Sequence, residues 1–96
     1  MLVVGYGHLG DGNIHLNILG PNITDLEWDH VLDMVTDQAI GLALQCGGTL
    51  SGEHGIGLAK KRYMSSQFST RDLAVMRGIK SVLDPEGLLN PGKMLP

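Results

Sequence analysis

From Asn13 to Leu19 the chain alternates strictly, with Asn13, His15 and Asn17 polar and Ile14, Leu16 and Ile18 apolar. A period of two predicts a strand with one buried face and one polar face. The apolar stretch Leu2–Tyr6 predicts a short strand before it, and His8 to Gly12 reads as the turn between them, since Asp11-Gly12 is a reversal signal. The two strands are therefore expected to form an antiparallel hairpin, stopped at Gly20-Pro21-Asn22. Thr24 followed by Glu27 is a capping box. The helix it opens carries Trp28, Val31, Leu32, Val35, Ala39, Leu42, Ala43 and Cys46 at helical spacing and ends at Gly47-Gly48. A short strand is expected at Thr49–Ser51, and an irregular or weakly helical region from Lys60-Lys61-Arg62 to Phe68. Ser69 with Asp72 opens a second long helix whose inward stripe is Leu73, Met76, Ile79, Lys80 and Leu83. Asp84-Pro85-Glu86-Gly87 ends it, because a residue before proline disfavours the helix, and a turn-rich tail follows. Strands and helices mixed in this way predict an α+β fold, a mostly antiparallel sheet with helices packed on one face.

Composition narrows the functions open to such a chain. Its 96 residues suit one small domain, and 43% hydrophobic content is ordinary for a globular protein. A net charge of −3 and the lack of a basic patch argue against nucleic acid as a partner. No apolar run reaches the roughly 20 residues of a transmembrane helix, and Met1–Gly5 does not resemble a signal peptide. The single cysteine, Cys46, excludes an internal disulfide and a Cys-x-x-Cys site; it is expected to be packed at the inner side of a helix end. The expected compartment is a reducing one, most simply the cytoplasm.

The 14 glycines gather in Gly5–Gly12 and again in Gly47–Gly57, and these two loops hold the candidate chemistry. The first, with the strand that follows it, carries His8 and His15; the second reads Ser51-Gly52-Glu53-His54-Gly55-Ile56-Gly57. Two imidazoles and a carboxylate are a common ligand set for a divalent ion such as zinc, and the same groups serve acid–base chemistry. A histidine beside a glycine turn is ordinarily just a loop residue. Three of the four histidines and the one glutamate flanked by glycine and histidine fall in these two loops, which weighs against coincidence. His30, off the apolar stripe of its helix, is given no role, and Asp11 is read as a turn residue. Asn17 shares a face with His15 and is the better ligand-contacting candidate of the two asparagines. Lys60, Lys61 and Arg62 are ordinary surface charge, with Lys60 the candidate for facing an acidic substrate. Gly5-Tyr6-Gly7-His8-Leu9-Gly10 matches the Gly-x-Gly-x-x-Gly fingerprint, but a strand rather than a helix follows it, so dinucleotide binding by this loop is rejected.

Gly7–Asn17 and Ser51–Gly57 resemble the paired signatures of the C-terminal domain of FAD-linked D-2-hydroxyacid dehydrogenases and oxidases, the group of D-lactate dehydrogenase, the glycolate oxidase flavin subunit and D-2-hydroxyglutarate dehydrogenase. The ending Leu83–Lys93 is similar to that family's terminal segment, so the likeness runs from Gly5 to the C-terminus. It implies part of a ferredoxin-like C-terminal domain, with zinc or manganese held at His8, His15 and Glu53. It implies His54 as the base that takes the substrate proton, Asn17 as a substrate-site residue, and Asn90 in a tail returning toward the flavin. The activity implied is oxidation of a D-2-hydroxy acid to the 2-oxo acid with hydride passing to FAD. An imidazole, with an unperturbed pKa of about 6.5, suits the base role near neutral pH.

Family members are several hundred residues long and carry an N-terminal FAD-binding domain, so the expectation is a C-terminal fragment or one piece of a split enzyme, inactive alone. An uncovered edge or apolar face would favour a homodimer. The rival reading is a stand-alone metal- or carboxylate-binding module, or structural subunit, pairing with a separate FAD-binding chain. Which 2-hydroxy acid is used does not follow from these residues, and peripheral membrane attachment is left open.

Overall fold

Two neighbouring strands, β1 (Leu2–His8) and β2 (Asn13–Leu19), pair antiparallel in a computed structural model that describes residues 1–20 and 24–96. The register runs from Leu2 opposite Leu19, through Tyr6 opposite His15, to His8 opposite Asn13. β1 is longer than its apolar stretch predicts, so His8 closes a strand instead of opening a turn. The reversal is a 3-10 turn over Leu9–Asp11, closed by the left-handed Gly12 (φ 67°), whose N–H donates to the Leu9 carbonyl at 3.1 Å. Of the predicted stop signal, Pro21 and Asn22 lie outside the described residues.

Alternation predicts the strand, but its apolar face is covered in part only, at the half-buried Ile18. Ile14 and Leu16 are 58% and 52% exposed, whereas His15 on the opposite face is half-buried. Among the described residues the sheet has two strands, so no third strand extends it. On the side that carries His15, the ring of Tyr6 and the carboxylate of Glu53 lie against that imidazole.

Helix α1 (Asp25–Gln45) begins at the predicted capping box: the Glu27 N–H donates to Thr24 Oγ1 at 3.3 Å, and the Thr24 N–H donates to Glu27 Oε2 at 3.1 Å. Trp28, Val31, Val35, Ala39 and Ala43 of its stripe are half-buried, and Leu42 is exposed. At the far end Gly47 turns left-handed (φ 79°), with Gly47 N–H to the Leu44 carbonyl at 3.0 Å and Gly48 N–H to the Ala43 carbonyl at 2.8 Å. These paired bonds satisfy carbonyls that the last helical turn leaves open. Cys46 is exposed with a free thiol, contrary to the expected packing, because it is the cap residue where the chain already leaves the stripe. The strand expected at Thr49–Ser51 does not form. Leu50 is instead a buried anchor in an irregular segment, and Thr49 Oγ1 donates to the Ser51 carbonyl at 2.9 Å.

The chain divides into two compact units, Met1–Glu53 and His54–Pro96. The second holds a 3-10 turn (Lys61–Tyr63), the one-turn helix α2 (Met64–Gln67) and helix α3 (Thr70–Leu83). Tyr63, Met64 and Leu73 are its buried apolar residues. The capping box at Ser69 and Asp72 forms as predicted, the Asp72 N–H donating to Ser69 Oγ at 3.2 Å. The α3 stripe is covered only in part: Leu73 is buried and Met76 half-buried, but Ile79 and Leu83 are exposed. The tail is tied back by Lys61 Nζ on the Gly92 carbonyl at 2.8 Å and by the Met94 N–H on the Gly57 carbonyl at 2.8 Å.

Asp84, the buried carboxylate of this unit, pairs with Lys80 one helical turn earlier. It also accepts from the Leu88 N–H at 2.9 Å and the Leu89 N–H at 3.0 Å, while Lys80 Nζ donates to the Leu89 carbonyl at 2.7 Å. The Lys80 hydrogen bond is the main reason the Asp84 carboxyl is held below the usual carboxylate range; burial opposes it and the two amides assist. A depressed folded-state pKa contributes stability that is fully present above the unfolded value of about 3.9 and is lost as pH falls through the folded one. Asp84→Asn is therefore expected to lower the thermal midpoint at neutral pH and to flatten its decline at acid pH. Thermal unfolding followed by circular dichroism from about pH 7 to pH 3 checks this; an acid limb as steep as that of the unsubstituted protein would contradict it.

Candidate metal and substrate site

β-Pairing decides which side chains meet on the polar face of the hairpin. Tyr6 and His15 are partners, as are His8 and Asn13, so the two strands bring both imidazoles of the first glycine-rich loop to one side. The segment after Leu50 supplies Glu53. His15 Nε2 donates to Glu53 Oε1 at 2.8 Å, and His8 Nδ1 lies 3.8 Å from Glu53 Oε2. The side chains of His8, Glu53 and His15 are 62%, 42% and 18% exposed. The two imidazoles stand edge to face, ring centres 6.3 Å apart and planes at 70°.

Two glycines allow this approach. A side-chain carbon on Gly7 would fall 2.2 Å from the Asn13 carbonyl oxygen, and one on Gly52 would fall 2.1 Å from Asn13 Oδ1. Asn13 is thus gripped on both sides, by β1 through its backbone and by the Glu53 segment through its carboxamide. Its Nδ2 faces His8 Nδ1 at 3.5 Å. An open cleft of about 520 Å³ lies here, with His8, Asp11, Asn13, Ser51 and Glu53 among its lining residues.

The donor set matches what a divalent cation takes: two imidazole nitrogens and a carboxylate oxygen, with room for further ligands. One donor atom from each of His8, His15 and Glu53 can be chosen so that all lie within 4.8 Å of one another. Donors at about 2.1 Å from a tetrahedral ion sit roughly 3.4 Å apart. A pair at that 4.8 Å limit would have to close by about 1.4 Å, a movement that the exposed His8 has freedom to make. The three residues fit such an ion in chemistry, and in position after a side-chain rotation.

The remaining sequence candidates fall as follows. Asn17 lies on the same strand face as His15, and its Nδ2 donates to the Tyr6 hydroxyl at 3.4 Å. His54 is exposed and opens the second unit. Lys60 is half-buried, just before the 3-10 turn, and Asn90 is an exposed tail residue in the left-handed region (φ 47°) whose carbonyl accepts from the Lys93 N–H at 3.3 Å. His30 is an exposed residue of α1, without part in the cluster. Asn13 and Tyr6 went unselected by sequence reasoning. Asn13 shares the two-residue period of His15, and counting back across the turn to Tyr6 gives its pairing, so both signals were present.

A family model for FAD linked oxidases, C-terminal domain, matches residues 1–94. D-2-hydroxyglutarate dehydrogenase of Xanthomonas citri pv. viticola is 48% identical over 93 residues, 96% of this chain and 20% of that protein. The mitochondrial D-2-hydroxyglutarate dehydrogenase of Danio rerio is 44% identical over 94 residues, 98% of this chain and 17% of its own length. D-lactate dehydrogenase of Anaerostipes hadrus is 36% identical over 92 residues, 96% of this chain and 19% of its own. The chain therefore spans about a fifth of the length of these curated relatives. Among the described residues no helix is long and apolar enough to cross a membrane.

The grip on Asn13 sets an expectation for the site's scaffold. Gly7→Ala must push strand backbone apart and should cost about 1–3 kcal/mol. Gly10→Ala, whose added carbon meets nothing within 4 Å, should be tolerated. Urea unfolding of the two variants compares them directly, and equal midpoints would show that the hairpin absorbs the added carbon without cost.

Proposed function

The chain belongs to the family of FAD linked oxidases, C-terminal domain, and on that premise we propose that it forms the metal- and substrate-binding region of a flavin-dependent oxidoreductase. The reaction is oxidation of a D-2-hydroxy acid, of the lactate or 2-hydroxyglutarate type, to its 2-oxo acid. The observation that carries this reading is the convergence of His8, His15 and Glu53 from two separated loops. The printed names of the relatives supply the substrate class, and the four-fifths of their length that lies beyond this match is room for the FAD-binding domain.

His8, His15 and Glu53 would hold Zn²⁺ or Mn²⁺. Such an ion, when bound, supplies Lewis acidity that favours the ionised form of a coordinated hydroxyl, and FAD supplies the two-electron acceptor. Glu53 accepts a hydrogen bond from His15 Nε2 at 2.8 Å, so holding an ion through that nitrogen would require the imidazole to carry its proton on Nδ1 instead. His54 takes the substrate's hydroxyl proton. FAD, when bound, would supply the acceptor for the hydride of the α-carbon, so that the loss of that hydride and of the hydroxyl proton balances oxidation of the alcohol to the 2-oxo acid. Asn17 and Lys60 bind the substrate's oxygens, and Asn90 contributes on the flavin side.

Calorimetric titration with Zn²⁺ and Mn²⁺ tests the site. His15→Ala is expected to weaken binding by about 100-fold or more, and equal affinity would overturn the metal assignment. In the flavin-bearing protein, His54→Ala should lower kcat on D-lactate or D-2-hydroxyglutarate by about 100- to 10,000-fold while leaving Zn²⁺ affinity in place. Undiminished turnover in that variant would remove His54 as the base.

A further inference from the structure

His15 is the least exposed of the three converging side chains although it stands on a two-stranded ribbon. Glu53 contacts one edge of the imidazole at Nε2. Tyr6 lies against its face. It is the direct cross-strand partner of His15, and the two rings stack with centres 5.2 Å apart and planes 17° from parallel. Stacked and offset ring pairs at this separation are favourable beyond the area they cover, and directly opposed pairs are where cross-strand contact is closest. The phenol has a second contact: its oxygen accepts from Asn17 Nδ2 at 3.4 Å, one pleat further along the same face. With its N–H turned to Tyr6, the Asn17 carboxamide has its orientation set, and the phenol keeps its own O–H to donate.

We propose that Tyr6 is a positioning residue for the site: its ring sets the plane of His15, and its hydroxyl orients Asn17 and donates to a carboxylate oxygen of the bound hydroxy acid. The inference rests on the proposed function above and deepens it. One side chain then serves two tasks that separate chemically. Ring stacking governs how well His15 serves as a metal donor, as outer contacts that hold a ligating imidazole generally do. The hydroxyl governs binding of the organic acid alone.

Tyr6→Phe keeps the ring and removes the hydroxyl; Tyr6→Leu removes both. Titration calorimetry with Zn²⁺, then with D-lactate on the Zn²⁺-loaded protein, reads the two tasks separately. Tyr6→Phe should hold Zn²⁺ as the unsubstituted protein does and bind D-lactate about 3- to 10-fold more weakly. Tyr6→Leu should weaken Zn²⁺ binding about 10-fold, with its circular dichroism spectrum checking the fold. Where that variant does not fold, the Tyr6→Phe pair of affinities decides. Unchanged Zn²⁺ affinity in folded Tyr6→Leu, or unchanged D-lactate affinity in Tyr6→Phe, overturns the Tyr6 assignment and leaves the proposed function standing. Failure of the unsubstituted protein to take up Zn²⁺ overturns both.

Discussion

The close approach of two backbones to Asn13 is the constraint on which the candidate site depends. Gly7 brings the end of β1 against the Asn13 carbonyl, extending strand pairing to His8, and Gly52 brings the Glu53 segment against the Asn13 carboxamide. Without the first approach His8 would belong to a turn and its imidazole would have no fixed relation to His15. Without the second, Glu53 would have no reason to stop within hydrogen-bonding distance of His15. Residues without chemistry of their own thus set the distances among those that have it. Such close approaches of backbone are what glycine uniquely permits.

The same unit shows how a helix end can serve a site it does not touch through side chains. The bonds from Gly47 and Gly48 to the Leu44 and Ala43 carbonyls fix where the chain leaves α1. Leu50, buried, pins it a second time before Gly52 and Glu53 follow. The carboxylate arrives from a segment held at two points, so its position needs neither a strand nor a helix around it.

What the sequence made legible was what is decided locally. Both capping boxes, the glycine stop of α1, the strand bounds of β2 and the end of α3 at Asp84-Pro85 each depend on a few neighbouring residues, and each was readable. The family too was readable, because three motifs occur in order. Contacts between distant residues were less so. Leu50 reads as part of a strand because a three-residue run does not distinguish a paired strand from an irregular extended segment. Cys46 was taken for packed because helical spacing does not reveal where the helix stops facing inward. Alternation puts Ile14, Leu16 and Ile18 on one face without showing how much of it is covered: Ile18 is half-buried, Ile14 and Leu16 are exposed. His8, His15 and Glu53 stand out by residue type and do meet; the pairing of Tyr6 with His15 and of Asn13 with His8 needs the period of two and the count across the turn together.

The hydrocarbon back of the hairpin bears on the imidazoles in front. A free two-stranded ribbon coils more strongly than a broad sheet, and His8 and His15 sit on different strands of this one. Any layer laid over Val3, Ile14 and Leu16 would resist that coiling and so alter the splay between the two rings. The reach to Glu53 is unequal, 2.8 Å from His15 and 3.8 Å from His8. The donor set and the apolar rear face share one backbone, so the curvature of the ribbon relates them.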